Sequence, residues 1–128
     1  MTIGDAFGIL FGGQNAATNY LREKTYTDLQ AAFAPKVRVS LGKPLVGDVS
    51  TTKSWNALTS AYNQVAATPV GVVANLKPVN VNLEEYVTGK ALDALFIKVA
   101  AEEKAIRENP VARITSLLKR VFGQLDKK

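Results

Sequence analysis

The sequence predicts an all-α domain: an irregular, compact bundle of five to six helices with the segment from Leu83 to about Glu108 at its centre. Three observations predict it. Apolar residues recur at spacings of three and four through most of the chain. Side chains of the helix-capping type stand just ahead of those patterns. Val37 to Leu41 alternates with period two and could be a short strand, but no convincing antiparallel partner lies near it, so helix is preferred there.

Thr2 with Asp5 three residues on forms a variant capping box ahead of Ala6, Phe7, Ile9 and Leu10, and Gly12-Gly13 stops that first helix. Asn15 is placed to cap a second helix, Ala16 to Lys24, with Ala17, Tyr20 and Leu21 on one face. Thr25 to Thr27 reads as a joint. From Asp28, residues Leu29, Ala32, Phe33, Val37 and Leu41 give a third helix that Pro35 should kink or end. Gly42 to Asp48 reads as a loop, after which Ser50, Thr51 or Thr52 caps a helix carrying Trp55, Leu58, Tyr62 and Val65. Pro69 terminates that helix, and residues 68–82 form an extended connection.

Asn82, with Glu85 three positions later, opens the strongest pattern: Leu83, Tyr86, Val87, Ala91, Leu95, Val99 and Ile106, widened by Leu92 and Phe96. The opposite face carries Glu102 and Glu103, of which Glu102 is four residues from Lys98 and Glu103 four from Arg107. Asn109-Pro110 breaks this helix. A last one turns Leu117, Leu118, Val121 and Phe122 inward and stops at Gly123.

At 128 residues the chain fits a single helical domain, and 47% apolar with 21% charged residues suits a packed fold. The chain has no cysteine and no histidine, so disulfides, thiolate chemistry, histidine-ligated metals and serine-histidine triads are excluded. Its longest apolar stretches, such as Ala66 to Leu76, are interrupted and fall short of the roughly 20 residues of a membrane span. Residues Met1 to Asp5 lack the features of a secretory signal. The net charge of +5 lies in the last 25 residues, where Lys104, Arg107, Arg113, Lys119, Arg120, Lys127 and Lys128 face only Glu108 and Asp126.

Three stretches carry a resemblance: Gly12 through Thr25, Tyr86 through Phe96, and Glu102 through Gly123, the last following the pattern E-E-K-x-I-R-x-N-P-x-A-R, a threonine, then L-L-K-[KR]-V-F-G. Thr52, Trp55, Asn56 and Leu58 add a weaker motif. Together they resemble the bacterial domain-of-unknown-function family 4197 over nearly the whole chain, with departures at Gly89, Ala94, Ala101 and Ile114. Members of that family usually begin with an export or lipoprotein signal followed by a further helical region. The resemblance therefore implies either the C-terminal part of a longer exported protein, which is the reading preferred, or a shortened relative; it implies a place in the periplasm or cell envelope, and the family has no established catalytic group.

Three constellations are candidates for chemistry. Glu102, Glu103 and Asp93 are carboxylates near basic and aromatic groups, yet neighbours on a helix diverge by about 100°, whereas paired-carboxylate catalysis needs convergence. Tyr20, Arg22, Tyr86, Lys90, Glu102, Glu103 and Arg113 would form a site for a small anionic ligand, or for an enzyme, if their helices brought them together. Otherwise the arginines pair with Glu102 or Glu103 and the tyrosines anchor the core. The basic C-terminus suits weak binding of nucleic acid or an anionic surface, but Lys119 and Arg120 also suit a helix C-terminus and no interleaved aromatics stack bases. No metal site, cofactor or catalytic residue is expected. The expected function is a non-catalytic helical module that binds a protein or small molecule, or serves structurally; the oligomeric state is left open.

Overall fold

A computed structural model of the chain describes residues 1–127. Among them lie six α-helices: α1 Ile3–Leu10, α2 Ala16–Gly42, α3 Thr51–Ala66, α4 Pro69–Val73, α5 Leu83–Glu108 and α6 Ser116–Phe122. A two-stranded antiparallel hairpin, β1 Pro44–Val46 and β2 Val49–Ser50, precedes α3. Short 3₁₀ turns, Pro110–Ala112 and Gly123–Asp126, flank α6. The fold is all-α, as the spacing predicts. Lys128, counted in the basic C-terminus, lies outside the described residues.

The caps explain where several helices begin. Thr2 accepts from the Asp5 N–H and Asp5 accepts from the Thr2 N–H, the reciprocal box that starts α1. Ser50 accepts from Lys53 N–H and starts α3; Asn82 Oδ1 accepts from Glu84 and Glu85 N–H and starts α5.

Several expectations need correction. Residues 25–27 form no joint, because α2 runs unbroken for 27 residues. Thr25 Oγ1 donates to the Leu21 carbonyl, so its hydroxyl is satisfied within the helix, and Tyr26 stacks on Phe96 with ring centroids 6.3 Å apart. Tertiary packing outweighs the low helix propensity of the threonines. Pro35 does not end the helix either; past it, Arg38 is tied to Glu84 by two hydrogen bonds. The loop at 42–48 contains the first strand and the turn of the hairpin, and this two-residue turn needs the positive φ of 55° that Gly47 supplies. Pro69 starts a helix: Thr68 caps α4 with proline in its first turn. Gly12 has no left-handed backbone; a Cβ there would overlap the Gly8 carbonyl oxygen and Ala16 Cβ, so close packing demands it. Gly123 continues into a 3₁₀ turn in right-handed conformation. Leu117 and Val121 are exposed, while Leu118 and Phe122 are half-buried.

The chain divides into two compact units. The first, Met1–Leu29 with Ala91–Lys128, holds α1, α6, the start of α2 and most of α5. Its buried residues combine Leu92 and Phe96 with Thr18, Glu103 and Arg113. Packing there is as much polar as apolar. The second unit, Gln30–Lys90, holds the rest of α2, the hairpin, α3, α4 and the start of α5. In it Ala66, Gly71, Ser50 and Thr88 are buried. Residues 76–82 run without helix, turn or bend, and two side chains of α3 hold them. The Asn63 amide bonds Val79 twice, accepting from its N–H at 2.8 Å and donating to its carbonyl at 2.9 Å; Trp55 Nε1 donates to the Val81 carbonyl.

Candidate functional site

Charged side chains from the end of α5 onward close three helix ends of the first unit. A helix leaves its first N–H groups and last carbonyls unpaired, and these attract anions and cations respectively. Glu103, 6% exposed, accepts from the N–H groups of Ala17 at 2.9 Å and Thr18 at 2.7 Å, at the start of α2. It also accepts from Thr18 Oγ1 and from Arg107 Nε. Glu103, and not Asn15, therefore caps α2. Arg107 donates onward to the Ile9 and Leu10 carbonyls, at the C-terminus of α1. Arg113, 2% exposed, donates to the Ile106 and Arg107 carbonyls at the end of α5 and is held in a two-point pair by Asp126.

Protonation follows this geometry. Burial alone would push the Glu103 carboxyl up, but donation from Thr18 Oγ1, Ala17 N–H, Thr18 N–H and Arg107 together outweighs it and holds the group below its ordinary range. The hydrogen bond from Arg113 holds Asp126 low, and the same bond raises the Arg113 guanidinium. All these groups stay charged near neutrality.

The other expected site residues are divided between the two units. Arg22 on α2 pairs with Asp93 on α5 at the surface and covers the rings of Tyr26 and Phe96 at 5.2 and 5.6 Å. Tyr20 is half-buried with Lys24 Nζ 5.8 Å above its ring. Glu102 is exposed, and among the described residues it forms no ion pair with Lys98. Glu103, by contrast, leaves the outer face that periodicity gives it, because the amide-rich start of α2 lies against it. Tyr86 and Lys90 belong to the second unit, where Lys90 Nζ sits 5.6 Å from the Tyr86 ring centroid and both are exposed. Among the described residues of the first unit, Glu103 and Arg113 are linked only through Arg107, and Arg113 pairs with Asp126 instead of Glu102 or Glu103. Among the described residues no three His, Cys, Asp or Glu side chains are grouped to hold a metal ion.

A cleft of about 580 Å³ opens in the second unit, a volume within the usual range of ligand sites. Arg38 and Leu41 of α2, Thr52 and Asn56 of α3, and residues 80–84 line it. Arg38 and Glu84 neutralise each other on its wall, and the pairing raises the Arg38 guanidinium. Among the described residues the side chains of Thr52, Asn56 and Asn80 have no hydrogen-bond partner. The sequence signals this cleft faintly: Thr52 and Asn56 stand in the weakest of the four motifs, and Asn82 reads only as a cap.

A family model described as "Protein of unknown function (DUF4197)" matches residues 1–123. The chain belongs to this family. No curated protein and no solved structure matches it. The DUF4197 stretch from Glu102 to Gly123 thus acquires a physical meaning: Glu103, Arg107 and Arg113 close the ends of α2, α1 and α5, Asn109 caps the following 3₁₀ turn, and Thr115 caps α6. Among the described residues no helix is long and apolar enough to cross a membrane.

Proposed function

We propose that this DUF4197 chain is a non-catalytic binding module of the bacterial cell envelope, and that its ligand occupies the cleft of the second unit. One observation carries the reading. The buried charges of the first unit, Glu103, Arg107 and Arg113, are each consumed by helix ends and by ion pairs, whereas the cleft presents amides and a hydroxyl that nothing among the described residues engages. A catalytic acid or base needs a reachable substrate and a pKa matched to its task. Glu103 is enclosed, and its environment drives it away from neutrality.

The basic C-terminus supports a nucleic-acid or anionic-surface role less well, since Arg107 and Arg113 already neutralise Glu103 and Asp126. Location in the envelope rests on the family resemblance and its export signals. Fractionation of cells expressing the native gene tests that part: recovery with the envelope is expected, and recovery with the cytoplasm would refute it. Screening mixed small sugars, short peptides and nucleotides by amide-resolved NMR tests the binding part. Shifts confined to Arg38, Thr52, Asn56 and residues 80–84 are expected. Chemical conversion of any compound, or binding only at the first unit, would overturn the proposal.

A further inference from the structure

We infer that the cleft takes an extended, uncharged segment of polypeptide, clamped by the side-chain amide of Asn56 and paired along the main chain of Asn80. The inference rests on the binding reading above and names its ligand class.

The chain already contains the interaction once. Asn63 of α3 grips the peptide groups of Val79 by accepting from the N–H and donating to the carbonyl. A side-chain amide carries one acceptor and two donors, so it can match both polar groups of an extended residue. Asn56 stands seven residues before Asn63, two helical turns away on the same face and about 10 Å along the axis. It lines the cleft, is exposed, and among the described residues its amide has no partner.

The second element is the connection itself. Val79 gives its N–H and carbonyl, and Val81 its carbonyl, to α3. Asn80, between these two residues, gives neither of its main-chain groups to α3. Among the described residues neither its N–H nor its carbonyl has a hydrogen-bond partner, and Asn80 lines the cleft. An exposed backbone edge of this kind recruits an added strand.

Charge and shape narrow the ligand. Among the described residues the charged groups on the wall are Arg38 and Glu84, joined by two hydrogen bonds, which leaves the lining neutral overall. Leu41, Val81 and Leu83 supply apolar surface for alternate side chains. A pyranose ring normally packs its C–H face on an aromatic side chain, and among the described residues no aromatic lines the cleft. Trp55, beside Asn56 in the sequence, is not part of this lining and donates its indole N–H to the Val81 carbonyl.

The test is a titration of ¹⁵N-labelled protein with the acetylated, amidated pentapeptide Ser-Val-Thr-Val-Ser and, separately, with diacetylchitobiose. The peptide is expected to shift the backbone amide of Asn80 and the side-chain amide of Asn56. Asn56→Leu is expected to weaken it about tenfold, as loss of two hydrogen bonds requires, with an unchanged circular dichroism spectrum. Ser60→Ala, elsewhere on α3, should bind as the native chain does. Unmoved Asn56 and Asn80 resonances at saturating peptide, or equal affinity in Asn56→Leu, would overturn the inference. Shifts at these positions with the disaccharide alone would also overturn it, while leaving the binding reading intact.

Discussion

Replacing Glu103 by glutamine preserves the shape of the side chain and removes its charge, which isolates what the carboxylate does for the fold. Oε1 accepts from Ala17 N–H and Arg107 Nε, and Oε2 from Thr18 N–H and Thr18 Oγ1. Whichever position the new NH₂ takes, it meets donors that fixed backbone holds in place, and Arg107 loses its counter-charge in a site where both side chains are under a tenth exposed. Breaking one partner out of a buried ion pair costs about 3–5 kcal/mol. Against a total stability of roughly 5–15 kcal/mol this is a large share. For a chain of this length it corresponds to a drop of roughly 10–25 °C in the unfolding midpoint. Thermal and urea unfolding followed by circular dichroism measure it. A loss below about 1 kcal/mol, the worth of an exposed pair, would refute the view that this network holds the first unit together. Arg107→Met should cost a comparable amount, and the double variant less than the sum of the two, because the second change removes a charge already stranded.

The Glu103 carboxyl lies below its ordinary value of 4.5, so the unfolded chain binds its proton first as pH falls. Stability from this group is therefore complete above that value and lost as acidity passes down through the folded-state pKa; urea midpoints from pH 7 to pH 2 should show the decline, and Glu103→Gln should flatten it. Thr88 is fully buried, its hydroxyl without a partner among the described residues, and Thr88→Val should raise stability by about 1–3 kcal/mol in chemical unfolding. A destabilised Thr88→Val would mean that the hydroxyl has a partner in solution. A Cβ at Gly71 would overlap the carbonyl oxygens of Val65 and Ala66 where α3 turns into α4, so Gly71→Ala should cost about 1–3 kcal/mol, and an unchanged unfolding midpoint would count against that close approach.

Local signals proved legible and distant ones did not. The reciprocal pairing of Thr2 with Asp5, the caps Ser50 and Asn82, and the break at Asn109 depend on residues two to four apart, which a sequence displays directly. The continuity of α2 through Thr25 to Thr27 was hidden because Phe96, which Tyr26 stacks on, is far along the chain. Leu117 and Val121 read as core because periodicity marks an apolar face without saying what covers it. In the candidate site, the spacing of Glu103 and Arg107 showed that they can pair, but not that they would be buried, since the amides that draw Glu103 inward belong to Ala17 and Thr18. The cleft was the least visible feature. Its wall gathers single residues from α2, α3 and the 76–82 connection, and no periodicity joins them.

The capping of α1 and α2 by Arg107 and Glu103 also bears on the order in which the protein can acquire its structure. The groups that close these two early helices are made 85 to 98 residues after the ends they close. At about 5–20 residues per second on the ribosome, the start of α2 waits on the order of 4–20 seconds for its carboxylate. Until then its open amides and the loose carbonyls of α1 face water or a chaperone. A nascent chain halted before Glu103 would accordingly carry an unfinished amino-terminal half, and the first unit becomes a late, long-range event in the life of each molecule.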